Sequence, residues 1–197
     1  MNALLTEIYT ERTPNPEVIK FVADRMLVNG PGLDYNSTTQ NIKSPLAKQL
    51  FQFPFVTNVF IASNYVAVTK IKELEWEEVM AELRDFIKRF LNAGNNVLEE
   101  SVSTEKGIIT ESANQEQIIV SEIEIKINNI LNEYIKPAVE QDGGAIVFRS
   151  FKDGVVTVAM QGACSGCPSS TMTLKAGIEG LLKRMIPEVN SVVAESC

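Results

Sequence analysis

The sequence contains no histidine. That removes Ser–His–Asp and Cys–His catalysis, histidine-ligated metals, and the side chain that most often moves protons near neutral pH. Cysteine is almost as scarce, with Cys164, Cys167 and Cys197 the only three in 197 residues. Three cysteines make no disulfide framework. Two of them three positions apart read, in a reducing compartment, as a metal-binding or redox-active pair. No apolar run reaches the roughly 18 residues a membrane span needs. The net charge is −7, with no Lys/Arg run and no basic stripe. This argues against nucleic acid, because phosphate binding needs clustered cations. The opening MNALLTEIYTERTP lacks a basic start followed by an apolar core, and it carries acids. It reads as neither a signal nor a transit peptide, so a cytoplasmic protein is expected.

Apolar residues make up 45% of the chain and charged residues 22%, enough to bury a core and typical of globular chains. Charge is spread unevenly. Residues 97–120 hold five acids and one lysine, are rich in Ser and Thr, and have no aromatic residue. This composition predicts a linker, assigned to 95–118, between domains at 1–94 and 119–197. As a flexible coil, about 25 residues span roughly 25–30 Å. The fold class expected is α+β, as two small α+β domains on a flexible acidic tether. Ile108-Ile109 is a candidate short strand within it.

In the first domain, Leu4–Tyr9 reads as a strand. Thr13-Pro14-Asn15-Pro16 reads as a rigid structural turn, since each proline fixes φ. Val18–Val22 alternates apolar and polar residues as a half-buried strand does. Ser44-Pro45 starts a short helix to Leu50, with Ser as N-cap and Pro in the first turn. Val56–Ile61 and Tyr65–Thr69 form a hairpin across Ser63-Asn64. From Glu75 to Asn92, Trp76, Val79, Met80, Leu83, Phe86, Ile87, Phe90 and Leu91 draw one helical stripe that stops at Gly94.

The second domain opens on a helix with an S-x-x-E capping box, Ser121 and Glu124. Its buried stripe is Ile123, Ile127, Ile130, Leu131, Tyr134, Ile135 and Ala138, loosened near Pro137. Asp142-Gly143-Gly144 stops it, a reading that gives those residues no further task. Strands at Ala145–Phe151 and Val155–Met160 meet at Asp153-Gly154, a hairpin signal. A helix runs from Pro168 to Met185 and a last strand covers Val189–Ala194. Met160, Met172 and Met185 are expected as core fillers.

The chemistry concentrates in Gln161-Gly162-Ala163-Cys164-Ser165-Gly166-Cys167-Pro168. Cysteines three apart in a tight turn can aim both sulfurs at one centre. The glycines allow close approach of backbone N–H groups, which can donate to cluster sulfurs. Pro168 suits the first helical position, and the positive end of a helix favours a thiolate at Cys167. Thiolates are soft ligands that suit zinc or iron–sulfur clusters. Spacing alone leaves zinc, thiol–disulfide chemistry and a cluster open. A cluster takes four thiolates and this loop offers two, so the missing pair comes most simply from a second copy. A centre owned half by each chain suits delivery. Zinc would likewise need a second chain or carboxylates. Cys197, at the frayed end, is expected to be a bystander.

From Ile135 to Val193 the sequence resembles the C-terminal domain of NifU-like (Nfu) iron–sulfur cluster proteins. The resemblance rests on Lys136 to Gly144 (KPAVEQDGG), Gly162 to Ser170 (GACSGCPSS), Thr173-Leu174-Lys175 and Gly177-Ile178-Glu179. The first domain is similar to the Nfu N-terminal domain through Thr13–Pro16, Ser44–Ala47, Val59-Phe60 and Val66–Lys70. The resemblance implies a cluster-binding, non-enzymatic scaffold or carrier. A [4Fe–4S] cluster, or sometimes [2Fe–2S], would bridge a homodimer through Cys164 and Cys167. It would be passed to apo iron–sulfur proteins, and whether it is built on this chain or received from an upstream scaffold stays open. It implies a docking or regulatory role for the first domain and no catalytic residue. Cys197 falls outside the motif and raises the question of a third ligand. The alternative is a thiol–disulfide oxidoreductase using the same pair; a zinc-bridged structural dimer is a third reading.

Overall fold

The structure is a computed structural model describing residues 5–30, 32–99, 122–164 and 168–196, the side chains of 168–171 and 196 excepted. The expected linker beyond residue 99, the Ile108-Ile109 strand, Ser121 of the capping box, Ser165, Gly166, Cys167 and Cys197 lie outside the described residues.

The first domain is a five-stranded antiparallel sheet in the order β1-β2-β5-β4-β3. Its strands are β1 (Ile8–Arg12), β2 (Val18–Ala23), β3 (Leu33–Asn36), β4 (Val56–Ala62) and β5 (Tyr65–Lys70). Helices α1 (Pro45–Leu50) and α2 (Trp76–Asn92) cover one face. Along each strand, alternate side chains point to opposite faces. Ile19, Phe21, Val59, Ile61, Val66 and Val68 meet the α2 residues Leu83, Ile87 and Leu91 in one core. The first strand begins four residues later than expected, and β3, with its Leu-Asp-Tyr-Asn sequence, gave too weak an apolar pattern to be foreseen. The hairpin and both helices fall at or within a residue of their expected bounds. Val97, which the sequence reading puts in the linker, is buried against this domain.

The second domain is a three-stranded sheet, β6 (Gly144–Lys152), β7 (Val155–Gly162) and β8 (Ser191–Ser196), with β6/β7 antiparallel and β7/β8 parallel. Asp153 and Gly154, both at positive φ, make the two-residue turn the sequence announces. The opening helix is split. A π-helical turn (Leu131–Ile135) separates α3 (Glu122–Ile130) from α4 (Lys136–Gln141). The π turn fits an extra residue into the winding just before Pro137, whose ring cannot sit in an unbroken helix. It also shifts the phase of the stripe. Val139 is buried where Ala138 was expected, and Tyr134 is exposed. Helix α5 (Pro168–Met185) presents Ile178 and Leu182 to the core beside Ile127, Leu131, Val156 and Val158. Met160 is core as expected, but Met172 and Met185 stand on the exposed side of α5.

Ser44 is fully buried and works twice. Its Oγ accepts from the Ala47 N–H (3.2 Å), capping α1, and donates to the Val97 carbonyl (2.6 Å). Ser44→Ala removes the cap and leaves that carbonyl without its donor. The expected loss is about 1–3 kcal/mol of first-domain stability, checked by urea unfolding followed at Trp76.

Candidate functional site

The second face of the first sheet would meet water if the domain stood alone. Its residues are nevertheless Val18, Val22, Phe60, Ala62, Tyr65 and Ala67, all buried. What covers them is the stem of the cysteine loop, with Ala163 in the same cluster and Ala145 packed against it. This explains why β2 is buried at every position when an alternating strand was expected.

Strand register aligns one row across this face. Asp34 pairs with Phe60, Phe60 with Ala67, Ala67 with Lys20, and Lys20 with Glu11. Four side chains of the face and its rim bind backbone atoms of the second domain. Asp34 Oδ2 accepts from the Gly162 N–H (3.0 Å) and Asn15 Nδ2 donates to the Ala163 carbonyl (3.2 Å). The Tyr65 hydroxyl donates to the Gly144 carbonyl (3.2 Å) and Lys20 Nζ to the Gln141 carbonyl (3.3 Å). Lys20 also lies over the Tyr65 ring, 4.6 Å from its centroid. Burial, aided by the negative charges of Glu140 and Cys164, pushes the Tyr65 hydroxyl well above its ordinary range, so it serves as a donor.

The turn that carries Asn15 is itself fastened. Thr13 Oγ1 donates to the Asn15 and Val18 carbonyls, Asn15 Oδ1 accepts from the Glu17 N–H, and Trp76 Nε1 donates to the Pro16 carbonyl. The turn is therefore structural, as expected, but it also holds the carbonyl immediately before Cys164. The sequence reading missed this role.

On the second domain, three glycines make the loop possible. Gly162 has φ +63°, and a Cβ there would lie 2.7 Å from both the Phe60 ring and the Gly143 carbonyl. Gly143, at φ +80°, sits against Thr13, and its carbonyl accepts from the Ala163 N–H. A Cβ on Gly144 would fall 2.7 Å from Cys164 Sγ. Asp142-Gly143-Gly144, read as a helix stop, thus also makes room for the thiol.

Cys164 is 5% exposed. It borders a cavity of about 450 Å³ walled by Pro14 and Asn15 of the first domain and by Asp142, Thr173 and Leu174 of the second. Cys167, outside the described residues, directly precedes Pro168, the first residue of α5. Among the described residues, no group of three or more Cys, Asp or Glu is placed to hold a metal ion. A soft thiolate beside a cavity suits a thiophilic metal, and the donors of this loop alone leave a four-ligand centre incomplete. No helix among the described residues is long and apolar enough to cross a membrane.

Comparison with known proteins covers both halves. A family model described as NifU-like domain matches residues 127–193, and one described as Scaffold protein Nfu/NifU N terminal matches residues 8–94. The "NFU1 iron-sulfur cluster scaffold homolog, mitochondrial" of Drosophila willistoni is 38% identical over 186 residues, covering 94% of this chain and 62% of the fly protein. The human protein of the same name is 35% identical over 187 residues, covering 94% of this chain and 70% of its own length. The chain thus spans less than two thirds of the fly relative. The solution structure of a NifU-like protein from Saccharomyces cerevisiae aligns with a TM-score of 0.45 and 26% identity, over 51% of this chain and 91% of that one. The fly and human relatives are named mitochondrial, which overturns the expectation of a cytoplasmic protein. That expectation leaned on the make-up of residues 1–14, and neither the folded core nor the cysteine loop carries any mark of compartment.

Burial raises the Asp34 pKa, against the lowering influence of its bonds from Gly162 and Asn58. A raised pKa means the folded protein binds this proton more tightly than the unfolded chain. The resulting stabilisation is full below the unfolded value and is lost as pH rises through the folded one. Asn58 Nδ2 donates to Asp34 Oδ1 (2.9 Å), while Asn58 Oδ1 has no partner among the described residues. In Asp34→Asn, a half-turn of the Asn58 amide would let that oxygen accept from the new amide, and the Gly162 bond could persist without a buried charge. The variant should melt higher than the parent at pH 7, with the difference shrinking as pH falls towards 4. Calorimetry across that range checks it.

Proposed function

The chain belongs to the Nfu family of iron–sulfur cluster scaffold proteins, and on that premise we propose that it carries an iron–sulfur cluster as cargo on the thiolates of Cys164 and Cys167. The supporting observation is the thiol of Cys164 beside a cavity in a glycine-built loop, with a second cysteine three positions on in the sequence, together half the ligands a cluster requires. The protein acts as a scaffold and carrier and has no catalytic residue. Two chains each give Cys164 and Cys167 to one centre, a [4Fe–4S] cluster in preference to [2Fe–2S]. An upstream scaffold supplies the cluster and apo iron–sulfur proteins receive it.

Release is ligand exchange. An acceptor thiolate binds iron as a Cys164 or Cys167 thiolate leaves and takes up a proton, and no electron changes hands. Cys167 directly precedes α5 in the sequence, and the positive end of a helix favours the thiolate form a metal needs. Gly144, with no side chain to press on Cys164 Sγ, keeps the backbone close to that sulfur. The proposed division of the chain is a supporting domain that extends to residue 99, since Val97 is buried in its core, a tether beyond it and a cluster-binding domain at 119–197.

Anaerobic reconstitution with iron and sulfide tests this. A brown dimer with about two irons per chain is expected for a shared [4Fe–4S] cluster, and about one for [2Fe–2S]. Cys164→Ser and Cys167→Ser should each reduce bound iron to background, whereas Cys197→Ser should leave it unchanged. A colourless monomer that binds no iron but turns over a disulfide substrate would overturn the proposal in favour of a thiol–disulfide oxidoreductase.

A further inference from the structure

A thiol that is to share a metal centre with another chain has to come out, yet Cys164 and Ala163 are almost fully buried. Cys164 packs in the core of the second domain, with Pro14 and Asn15 of the first across the cavity beside it, while the stem of the loop, Ala163 included, is covered by the first domain. Phe60 closes on Gly162, Thr13 on Gly143, and the four side-chain-to-backbone hydrogen bonds fall on residues 141, 144, 162 and 163. The geometry points to a gate. The second face of the first sheet is a reversible receptor for the stem of the cysteine loop, keeping the cavity at Cys164 walled, and the stem leaves this face when Cys164 is engaged outside the chain. The closure itself stands without the cargo; its use in sharing a cluster rests on the function proposed above.

Reversibility is built into the polar residues of the face, because three of the four keep a partner within their own domain when the loop departs and the neutral Tyr65 hydroxyl can be taken up by water. Lys20 stays 3.0 Å from Glu11, Asp34 keeps the amide of Asn58, and Asn15 keeps the Glu17 N–H. Opening therefore strands no charge. On the loop side only backbone groups are released, and water can take them up. No ion pair crosses the contact among the described residues. The chain from residue 99 to 122 has a contour on the order of 70 Å, so covalent continuity does not prevent separation. Contacts between domains of one chain are ordinarily of this separable kind.

Ala67 gives the cleanest test. It lies in the middle of the face, 1% exposed, between Phe60 and Lys20 in the strand register. Its side chain points away from the α2 core, so Ala67→Glu puts a charge where only the closed state buries it. The readout is the rate at which iodoacetamide alkylates Cys164 in the iron-free full chain, measured by peptide mass spectrometry, together with the radius of gyration from small-angle scattering. Ala67→Glu should label Cys164 at least about tenfold faster and expand the particle, because even beside Lys20 the longer, charged side chain has to be desolvated and fitted under the loop stem in a face that Phe60 and Tyr65 already fill. Tyr65→Phe removes one hydroxyl and keeps the packing. It should speed labelling about two- to tenfold, the weight of one hydrogen bond, and it decides the matter if Ala67→Glu fails to fold. Two results would overturn the gate: parent protein that labels as fast as the urea-unfolded chain, or variants that melt normally and label no faster. Since no iron is present, failure here leaves the carrier proposal standing, and failure of reconstitution leaves the gate standing.

Discussion

A five-stranded sheet whose two faces are both apolar has to cover both, and this constraint organises the molecule. Helices α1 and α2 cover one face with the first domain's own residues. The other face, with Phe60, Tyr65, Val18 and Val22, is covered by the segment of the second domain that carries the cysteine loop. The hydrophobic effect is non-directional and would accept any apolar cover. Direction comes from the polar residues in and around the face. Asp34, Asn15, Tyr65 and Lys20 each meet one backbone atom of the loop or its stem. Each bond is worth about 0.5–1.5 kcal/mol net, little singly, but a slip in docking would leave several of them buried and unmade.

The site follows from the same constraint. Gly162 lacks a Cβ because Phe60 stands there, and Gly144 lacks one because the thiol does. Two glycines eighteen positions apart, paired in register on β6 and β7, thus serve two packing demands at once. One brings the domains together and the other makes room for the Cys164 thiol. A change at either would be felt at both, since the β6/β7 pairing links them rigidly.

Elements governed by local rules were legible in the sequence. The Ser44-Pro45 start, the Asp153-Gly154 turn, the α2 stripe and the Pro168 start of α5 all fell where propensity and periodicity put them. The cysteine pair was legible for the same reason, as two soft donors at short spacing among glycines. The contact between domains was not. Val18, Val22, Phe60, Ala62 and Ala67 gave a signal, since apolar residues on both faces of a strand mean that both are covered. In β2, however, Lys20 broke the run and imitated an ordinary exposed position. It is buried because Glu11, the Tyr65 ring and the Gln141 carbonyl satisfy it. The shift of the helical stripe from Ala138 to Val139 was hidden for a different reason. Pro137 announces a disturbance but not whether the chain will kink or add a residue.

The directional contacts between the domains are made almost wholly to backbone atoms of the second. This separates two kinds of information that a cysteine loop would otherwise have to carry together. If the first domain recognised loop side chains, the loop's composition would have to serve docking and ligation at the same time. By reading the Gly162 N–H and the carbonyls of Gln141, Gly144 and Ala163, the first domain recognises the path of the chain. The side chain of Cys164 is spared the docking task and, under the proposed function, is available for metal chemistry. The same separation makes the contact sensitive to backbone shape. Gly143 and Gly162, both at positive φ, fix the path that is read, and a movement of the loop around a bound centre changes the fit without altering any residue of either surface. If the thiols hold a cluster as proposed, their occupancy and the docking of the first domain are coupled through the backbone, and each disfavours the other to the extent that the loop's path must change.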